Sequence, residues 1–265
     1  MTESAEDAVP LDDRGLLLGD GLFETLLYAR GGLVLADQHA ARMAAGAGVL
    51  GLPAPSAEVF AASALGAVAR AGLGAARAAV RVTLTAGSGG RGLDRPPDPQ
   101  VRLLAAAAPS APPTTPASLM VATLRRNQAS PASRLKTLAY LDNVLARREA
   151  TAAGANEALM LNTLGEVACA AAANVFWLRE GALFTPAAET GRLDGLMARQ
   201  VAAAAGRLGV GVHQVREGEA ALTSADAVFL TNSLIGLRSA YLLGRDPPVR
   251  NPLVEALRRQ AAAFT

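Results

Sequence analysis

Lys136 is the residue of this chain with the clearest potential for chemistry, and it stands in the run SRLKTLAY ahead of an apolar helical pattern. A lysine in apolar surroundings loses its charge readily, because burial disfavours the ammonium form. The neutral amine can then attack a carbonyl carbon and form a Schiff base. A surface lysine at a helix start is the commoner interpretation of this segment alone, since most lysines are exposed. The other motifs of the chain must therefore decide between the two.

Two segments upstream of this lysine could line a ligand site. The run RVTLTAGSGGRGL predicts a strand followed by a glycine-rich loop that carries Arg91. Such a loop lets backbone approach a ligand closely, and a guanidinium matches a carboxylate, although a plain hairpin turn has the same pattern. The run GDGLFETLLYAR predicts a glycine turn and a strand, with Phe23 and Thr25 on one face and Glu24 on the other.

Two segments downstream could bind a phosphate group. In GRLDGLMARQ, Asp194 is placed to cap a helix that begins at Gly195, and helix N-termini attract anions. In FLTNSLIG, a predicted strand ends in Thr231, Asn232 and Ser233, which offer hydroxyl and amide groups.

Several familiar motifs are absent or misplaced. Residues 46–51 read GAGVLG and satisfy the dinucleotide fingerprint GxGxxG, but they follow a helical run and not a strand, so we interpret them as a helix C-terminus. The sequence has no P-loop, HExxH or CxxC motif, and its two histidines, His39 and His213, give weak support to a hydrolase or a metalloenzyme. The single cysteine, Cys169, excludes an internal disulfide and a multi-cysteine zinc site.

Composition narrows the class of protein further. A length of 265 residues predicts about two domains, and no uninterrupted apolar run reaches membrane-spanning length. The net charge is +2 and the basic residues are scattered, which disfavours nucleic acid as a partner. The first residues, MTESAEDAVPLDDR, are acidic and polar, unlike a signal peptide, so the expected location is the cytoplasm.

The order of predicted elements indicates an α+β protein of two domains. We assign residues 1–107 to an N-terminal α+β domain, 108–118 to a proline-rich linker and 119–265 to a C-terminal domain. Strands are predicted at residues 22–28, 33–35, 79–86, 101–106, 119–124, 157–161, 167–172, 175–179, 182–184, 211–215 and 227–231. Helices are predicted at residues 38–47, 57–71, 139–153, 196–208 and from 252 onward.

Together these segments resemble the class IV pyridoxal-phosphate-dependent aminotransferases, the fold-type IV family of D-amino acid and branched-chain aminotransferases and aminodeoxychorismate lyase. The resemblance spans residues 13–236 and rests, in the family's order, on DRGLLLGDGLFETL, HAARM, RVTLTAGSGGRG, LKTLAYLDNVLARREA, NEALMLNTLGEVA, ANVFW, LDGLMARQ and FLTNS. It implies a D-amino acid aminotransferase-like fold, with a small N-terminal α/β domain and a larger C-terminal pseudo-barrel domain that binds pyridoxal 5′-phosphate. It also implies a homodimer that acts on a small-molecule amine.

The resemblance assigns roles toward the cofactor residue by residue. Lys136 matches the lysine that forms the Schiff base, and Arg42, in the family's His-x-x-Arg motif, matches the arginine that contacts the phosphate. Leu196 and Met197 match the helix-start amides that hold the phosphate. Ser233 matches the hydroxyl position of the second phosphate loop.

Cys169 is the main departure from the family pattern. It stands where the family normally places a glutamate against the pyridine nitrogen of the cofactor. Glu166 lies earlier on the same predicted strand and on the opposite face, so it is a poor substitute. A neutral thiol is a weaker partner for a pyridinium than a carboxylate, and we therefore expect a weaker electron sink.

The resemblance also assigns one residue on the substrate side. Arg91 matches a loop arginine that in some members binds the substrate carboxylate and reaches across the dimer interface. We further expect Phe23 to line the substrate site. Thr25 and Tyr140 are also expected at the substrate, as alternative proton donors to the leaving group of a lyase reaction.

Within the family, GSGGRG and KTLAYLDNVLA are most similar to aminodeoxychorismate lyase, which makes 4-aminobenzoate and pyruvate for folate biosynthesis. In that reaction the substrate amine displaces Lys136, whose freed amine removes the ring proton at the carbon that bears nitrogen. A transaminase of D- or branched-chain amino acids is the alternative enzyme. A non-catalytic descendant is a third hypothesis, suggested only by Cys169.

Overall fold

The computed structural model of the protein describes residues 9–261, whose contacts group into two compact units. Among these residues, the first unit comprises 9–111 together with Leu135–Ala139, and the second comprises Pro112–Arg134 and residues 140–261. Both units combine helices with a sheet, so the predicted α+β class is confirmed. The short segment that carries Lys136 is grouped with the first unit, although its position in the chain falls within residues 119–265.

The first unit consists of α1 (Arg14–Leu18), β1 (Gly21–Ala29), β2 (Gly32–Leu33), α2 (Ala36–Leu50), α3 (Ala57–Arg70), β3 (Ala78–Thr85) and β4 (Arg102–Pro109). Its strands form an antiparallel sheet in the order β2–β1–β3–β4. The apolar core joins this sheet to α2 and α3 and includes Leu26, Met43 and Phe60. Strand β1, which carries Phe23, Glu24 and Thr25, therefore lies inside the sheet, with a strand on each side.

The ends of these helices follow from local signals. Asp13 caps α1 and Ser56 caps α3, each through a side-chain oxygen that accepts hydrogen bonds from backbone amides. Helix α2 ends at Gly51, which adopts a left-handed conformation that suits glycine. The predicted helix C-terminus at residues 46–51 is therefore confirmed.

The second unit consists of β5 (Ala117–Val121), α4 (Pro131–Arg134), α5 (Leu141–Ala152), β6 (Glu157–Leu161), β7 (Val167–Ala170), β8 (Asn174–Arg179), β9 (Ala182–Pro186), α6 (Leu196–Arg207), β10 (Val212–Val215), α7 (Ala220–Thr223), β11 (Ala227–Asn232), β12 (Gly236–Leu242) and α8 (Pro252–Ala261). A short 3₁₀ turn at Ala188–Thr190 precedes α6. The eight strands form one curled sheet in the order β10–β9–β8–β11–β12–β5–β6–β7.

Strands β6, β7 and β8 are buried along almost their whole length. Alternate residues of β6 enter two different apolar clusters, because both faces of the sheet are covered. Leu159 packs with Trp177 and Leu230 on one face, whereas Met160 packs with Ala146 of α5 on the other. The residues of β7 therefore lie deep in the unit.

Most predicted elements are confirmed, with ends displaced by a few residues, but α1, β12 and the four-residue helices α4 and α7 were missed. Helix α1 has only five residues, and Arg238 and Ser239 interrupt the apolar pattern of β12. Strand β4 continues to Pro109, into the stretch where the sequence indicated the linker. No helix within residues 9–261 combines the length and the apolar character needed to cross a membrane.

Candidate active site

Lys136 is held by backbone pairing with the first residues of β1. The Phe23 N–H donates to the Lys136 carbonyl at 2.9 Å, and the Leu138 N–H donates to the Gly21 carbonyl at 3.0 Å. These two bonds extend the pairing of β1 beyond its regular strand partners. They explain why Leu135–Ala139 belongs to the first unit.

The Phe23 ring brings two cationic side chains together. The Lys136 Nζ lies 4.1 Å from the ring centroid, and the Arg81 Cζ lies 3.7 Å from it. Cations are attracted to the negative face of an aromatic ring. Thr25 pairs with Arg81 across the strands and shares the face of Phe23, as predicted. The sequence analysis missed Arg81, which the cross-strand pairing of β1 with the strand of the glycine loop could have indicated.

Glu24 lies on the opposite face of β1 and forms a buried cluster with α2. Its carboxylate is 1% exposed and accepts hydrogen bonds from Arg42 Nε at 2.7 Å and Arg42 Nη2 at 2.6 Å. The Nδ1 atom of His39 lies 2.6 Å from the same carboxylate. A bidentate bond of this kind fixes the plane of the guanidinium. The predicted phosphate arginine is thus oriented by Glu24, which also contacts His39, and the sequence analysis assigned no role to either residue.

The charge states in this cluster follow from its hydrogen bonds. Burial raises the pKa of Glu24, but the bonds from Arg42 and His39 outweigh burial and hold that pKa below its ordinary value. Burial lowers the pKa of His39, against the opposing effect of Glu24 and with the help of the nearby cations. Glu24 is therefore ionised at neutral pH. His39 is neutral and donates its Nδ1 proton to that carboxylate.

In the second unit, α6 begins at a closely packed glycine. Gly195 occupies the N-cap position, and a Cβ atom there would lie 1.8 Å from Asn174 Oδ1, so the contact requires glycine. The Asn174 side chain is fixed by a 2.8 Å bond from Nδ2 to the Leu193 carbonyl. Leu196 and Met197 form the first turn of α6, and their side chains are buried. The predicted amide positions therefore stand at a helix start that has no side chain at its N-cap.

The helix begins at Leu196, as the predicted range 196–208 has it, but Asp194 as its capping residue was wrong. Asp194 precedes the N-cap, and its carboxylate accepts a 2.6 Å hydrogen bond from Arg199 Nη2.

The loop that contains Ser233 lies next to this helix start. Thr231, near the end of β11, pairs with Asn174, the residue that contacts Gly195. Asn232 shapes the loop, because its Oδ1 accepts from the two amides that follow Ser233, each at 2.9 Å. The structure thus brings the two predicted phosphate segments together through Asn174, a residue that the sequence analysis did not single out.

Cys169 lies on β7 and is 5% exposed, in a cluster of small apolar residues that includes Ala146 and Ala150 of α5. Burial raises the pKa of its thiol. The positive charge of Arg126 opposes this rise and the carboxyl of Glu157 adds to it. The thiol is therefore neutral at physiological pH.

Three other residues of the sequence analysis stand on separate elements. Arg91 is exposed in the glycine-rich loop between β3 and β4. Tyr140 immediately precedes α5 at its N-cap position. The Glu166 carboxylate accepts hydrogen bonds from Asn162 Nδ2 at 2.7 Å and from Arg216 Nε at 2.8 Å.

These features fit pyridoxal phosphate. A helix start without a capping side chain offers backbone amides to a phosphate, and the glycine removes the side chain that would obstruct its approach. Lys136 carries an amine of the kind that can condense with an aldehyde. Arg42, oriented by Glu24, presents a fixed cation of the kind that can bind a phosphate.

Two curated proteins are similar in sequence to part of this chain. Aminodeoxychorismate lyase from Bacillus subtilis is 35% identical over 115 residues, which are 43% of this chain and 39% of that protein. A protein from Synechocystis, provisionally named a branched-chain-amino-acid aminotransferase, is 32% identical over 124 residues, which are 45% of this chain and 41% of that protein. The matches thus cover less than half the length of these relatives.

A crystal structure from Legionella pneumophila, provisionally assigned as a 4-amino-4-deoxychorismate lyase, superposes with a TM-score of 0.91. It is 28% identical to this chain, and the match covers 100% of this chain and 97% of that one. The predicted fold is therefore confirmed.

The family model described as amino-transferase class IV matches residues 21–241, which include the lysine segment, the helix start at Gly195 and the loop of Ser233. Enzymes of this family depend on pyridoxal 5′-phosphate. The chain belongs to the class IV aminotransferases and is a pyridoxal-phosphate-dependent enzyme of that family.

Proposed function

We propose that the protein is a 4-amino-4-deoxychorismate lyase, which converts its substrate to 4-aminobenzoate and pyruvate. The observation that carries this choice is the neutral Cys169 at the position where the family has a carboxylate. Transamination depends on a long-lived carbanion and needs a strong electron sink, whereas the lyase reaction also gains from aromatising its product. The relatives from Bacillus subtilis and Legionella pneumophila support the same choice.

Lys136 is the catalytic residue of this proposal. The bound cofactor withdraws electrons from the carbon that bears the substrate nitrogen. The Lys136 Nζ removes the ring proton at that carbon, and its position beside the Phe23 ring limits where it can reach. The enolpyruvyl group then leaves with the electrons of its carbon–oxygen bond, and it gains a proton from Thr25 or Tyr140 to give pyruvate.

The remaining proposed roles concern binding. Arg42, Leu196, Met197 and Ser233 hold the phosphate of the cofactor, and Cys169 stands at its pyridine nitrogen. Arg91 binds a substrate carboxylate, as a guanidinium can. By resemblance, that loop completes the site of a second copy of the chain, so we propose that the enzyme works as a homodimer.

An aminotransferase of D- or branched-chain amino acids is the second candidate. The similarity to the Synechocystis protein favours it. Both candidates use the same lysine and the same phosphate-binding residues, so they differ in the fate of the substrate.

The deciding experiment couples chorismate, an aminodeoxychorismate synthase and this protein, and follows 4-aminobenzoate and pyruvate. Equal amounts of both products are expected for the lyase. Formation of a keto acid from D-alanine or leucine with 2-oxoglutarate, without 4-aminobenzoate, would instead identify the aminotransferase.

Borohydride reduction of the purified yellow protein, followed by peptide mapping, tests the lysine independently. The adduct is expected on Lys136, and the Lys136→Ala variant is the matched control. A protein that stays colourless with added cofactor would support the non-catalytic hypothesis.

A further inference from the structure

The side chain of Arg14 is bonded to the glycine-rich loop that follows β3. The residue is 4% exposed, and its guanidinium donates to the carbonyls of Gly92, Leu93 and Asp94 at 3.3, 2.9 and 3.0 Å. Its backbone N–H donates to the Gly87 carbonyl at 2.8 Å. One buried residue at the start of α1 therefore contacts both ends of the glycine loop, which we define as residues 87–95.

Asp20 links this anchor to a second one. Its carboxylate accepts from Arg14 Nε at 3.0 Å and from Arg95 Nε at 2.8 Å, and Arg95 Nη2 also donates to it. Arg95 Nη1 donates to the carbonyl of Leu50 at the end of α2. The glycine loop is thus tied to two helices through side chains of the first unit.

The loop backbone closes tightly around the Arg14 guanidinium. Gly90 has φ of +82°, and a Cβ atom there would lie 2.1 Å from the Asp94 carbonyl oxygen and 3.1 Å from Arg14 Nη1. Only glycine fits this turn. Arg91 follows directly, and its exposed side chain has no buried contact of its own to fix the loop.

We propose that Arg14 is a positioning residue, which holds the glycine loop and thereby sets the place from which Arg91 meets the substrate carboxylate. This inference rests on the proposed function for the role of Arg91. Arg14 itself touches neither substrate nor cofactor. Its three carbonyl contacts need the planar fork of a guanidinium, which a lysine ammonium does not have.

Limited trypsin digestion of the cofactor-loaded protein tests the anchor directly. Trypsin can cut after Arg91, whereas Arg95 is followed by Pro96 and resists cleavage. In Arg14→Lys, cleavage at Arg91 should be faster by about tenfold or more, because cleavage follows the open population of the loop. The matched control is Arg70→Lys, since Arg70 is exposed and donates to a single carbonyl, that of Ala105, at 3.0 Å. This control should leave the cleavage rate at Arg91 unchanged.

Steady-state kinetics tests the consequence. Arg14→Lys should raise KM for aminodeoxychorismate by about tenfold and change kcat by less than about twofold, because the loop contributes binding rather than proton transfer. The double variant Arg14→Lys/Arg91→Ala should have the KM of Arg91→Ala alone, since both changes act through one contact. Arg70→Lys should keep the KM of the natural enzyme.

The possible results distinguish a failure of the Arg14 proposal from a failure of the proposed function. Unchanged cleavage at Arg91 in Arg14→Lys overturns the proposal, and additive effects in the double variant overturn the route through Arg91. If the protein has no lyase activity, the proposed function fails, and the same KM comparison is made with D-alanine or leucine. Should Arg14→Lys not fold, Arg95→Gln removes the second anchor of the loop and is expected to accelerate the same cleavage.

Discussion

Two buried glutamates, one in each unit, meet arginine side chains in different ways. Glu24 is 1% exposed and receives two donors from Arg42 and one from His39. Glu157 is 5% exposed and receives one side-chain donor, from Arg147, and backbone donors from Ala158 and Ala171. The side chain of Arg42 is 15% exposed, whereas that of Arg147 is 42% exposed and therefore well solvated.

The pKa values of the two carboxyl groups consequently shift in opposite directions. Hydrogen bonds overcome burial at Glu24 and lower its pKa, while burial prevails at Glu157 and raises its pKa despite Arg147. An arginine contact by itself is thus not enough to offset the effect of burial on the pKa of a carboxyl. The number of side-chain donors and their own burial decide the direction of the shift.

The buried ionisable groups of the two units therefore differ in their electrostatics. The first unit buries a fixed anion that orients a cation, Arg42. In the second unit, burial near β7 disfavours the charged forms of the acidic groups, since the pKa values of both Glu157 and Cys169 are raised. The two segments proposed to bind the phosphate are instead shaped by the neutral side chains of Asn174 and Asn232.

The largest expected effect comes from removing the anion of the first unit. Glu24→Gln leaves Arg42 and His39 without their carboxylate and should lower the free energy of unfolding by about 3 kcal/mol, the lower end for a broken buried ion pair, because Arg42 is partly exposed. Glu157→Gln is the matched control and should cost less than about 1 kcal/mol. Urea denaturation with a common slope measures both. Equal losses in the two variants would contradict the distinction between the two sites.

Cofactor affinity at the start of α6 should depend on the space that Gly195 leaves open. In Gly195→Ala, the new methyl group would collide with Asn174 Oδ1, so affinity for pyridoxal phosphate should fall by about 10- to 100-fold, or about 1.4 to 2.8 kcal/mol. Gly206 lies on the same helix and has open space around a Cβ, so Gly206→Ala should leave cofactor affinity unchanged. Fluorescence titration of the apoenzyme compares them. Normal affinity in Gly195→Ala would show that this helix start does not bind the phosphate.

Placing a carboxylate at position 169 should change the rate at which an amino acid converts the cofactor to its amine form. If Cys169 stands at the pyridine nitrogen, that nitrogen is largely unprotonated, and Cys169→Glu should accelerate conversion of the cofactor to its amine form by an amino acid. Each tenfold gain would correspond to about 1.4 kcal/mol of transition-state stabilisation. Cys169→Gln introduces a side chain of the same size as glutamate but without its charge. This variant should show no gain in the rate of that conversion. A Cys169→Glu variant that binds cofactor normally and gains nothing would show that this position does not limit the reaction.

The smallest expected effect is on the pH dependence of stability. The pKa of His39 is lowered, so its contribution is lost as pH falls below the ordinary value of 6.5, and that of Glu24 is lost as pH falls below 4.5. The raised pKa of Glu157 acts in the opposite direction, because its contribution is lost as pH rises from 4.5. Glu157→Gln should therefore steepen the loss of stability as pH falls from 6.5 toward 4.5. Unfolding free energies measured across this window would reveal an unchanged slope if the assignment is wrong.

Local pattern was enough to predict much of the fold. The alternation in β1 placed Phe23 and Thr25 on one face and Glu24 on the other, and the glycine at the end of α2 marked its C-terminus. These features depend on residues close together in the chain. Strand β12 was missed because Arg238 and Ser239 break its apolar pattern, and its pairing with β11 and β5 stabilises it instead.

The sequence by itself determined which chemical groups are available: a lysine ahead of a helix, an arginine in a glycine loop, and a thiol where a carboxylate is usual. Only the tertiary structure decided their surroundings, because contacts distant in the chain set them. Backbone bonds to β1 place Lys136 beside Phe23, and Glu24 orients Arg42. The thiol of Cys169 is neutral because the sheet and α5 bury it, and burial is a property of packing that no local pattern specifies.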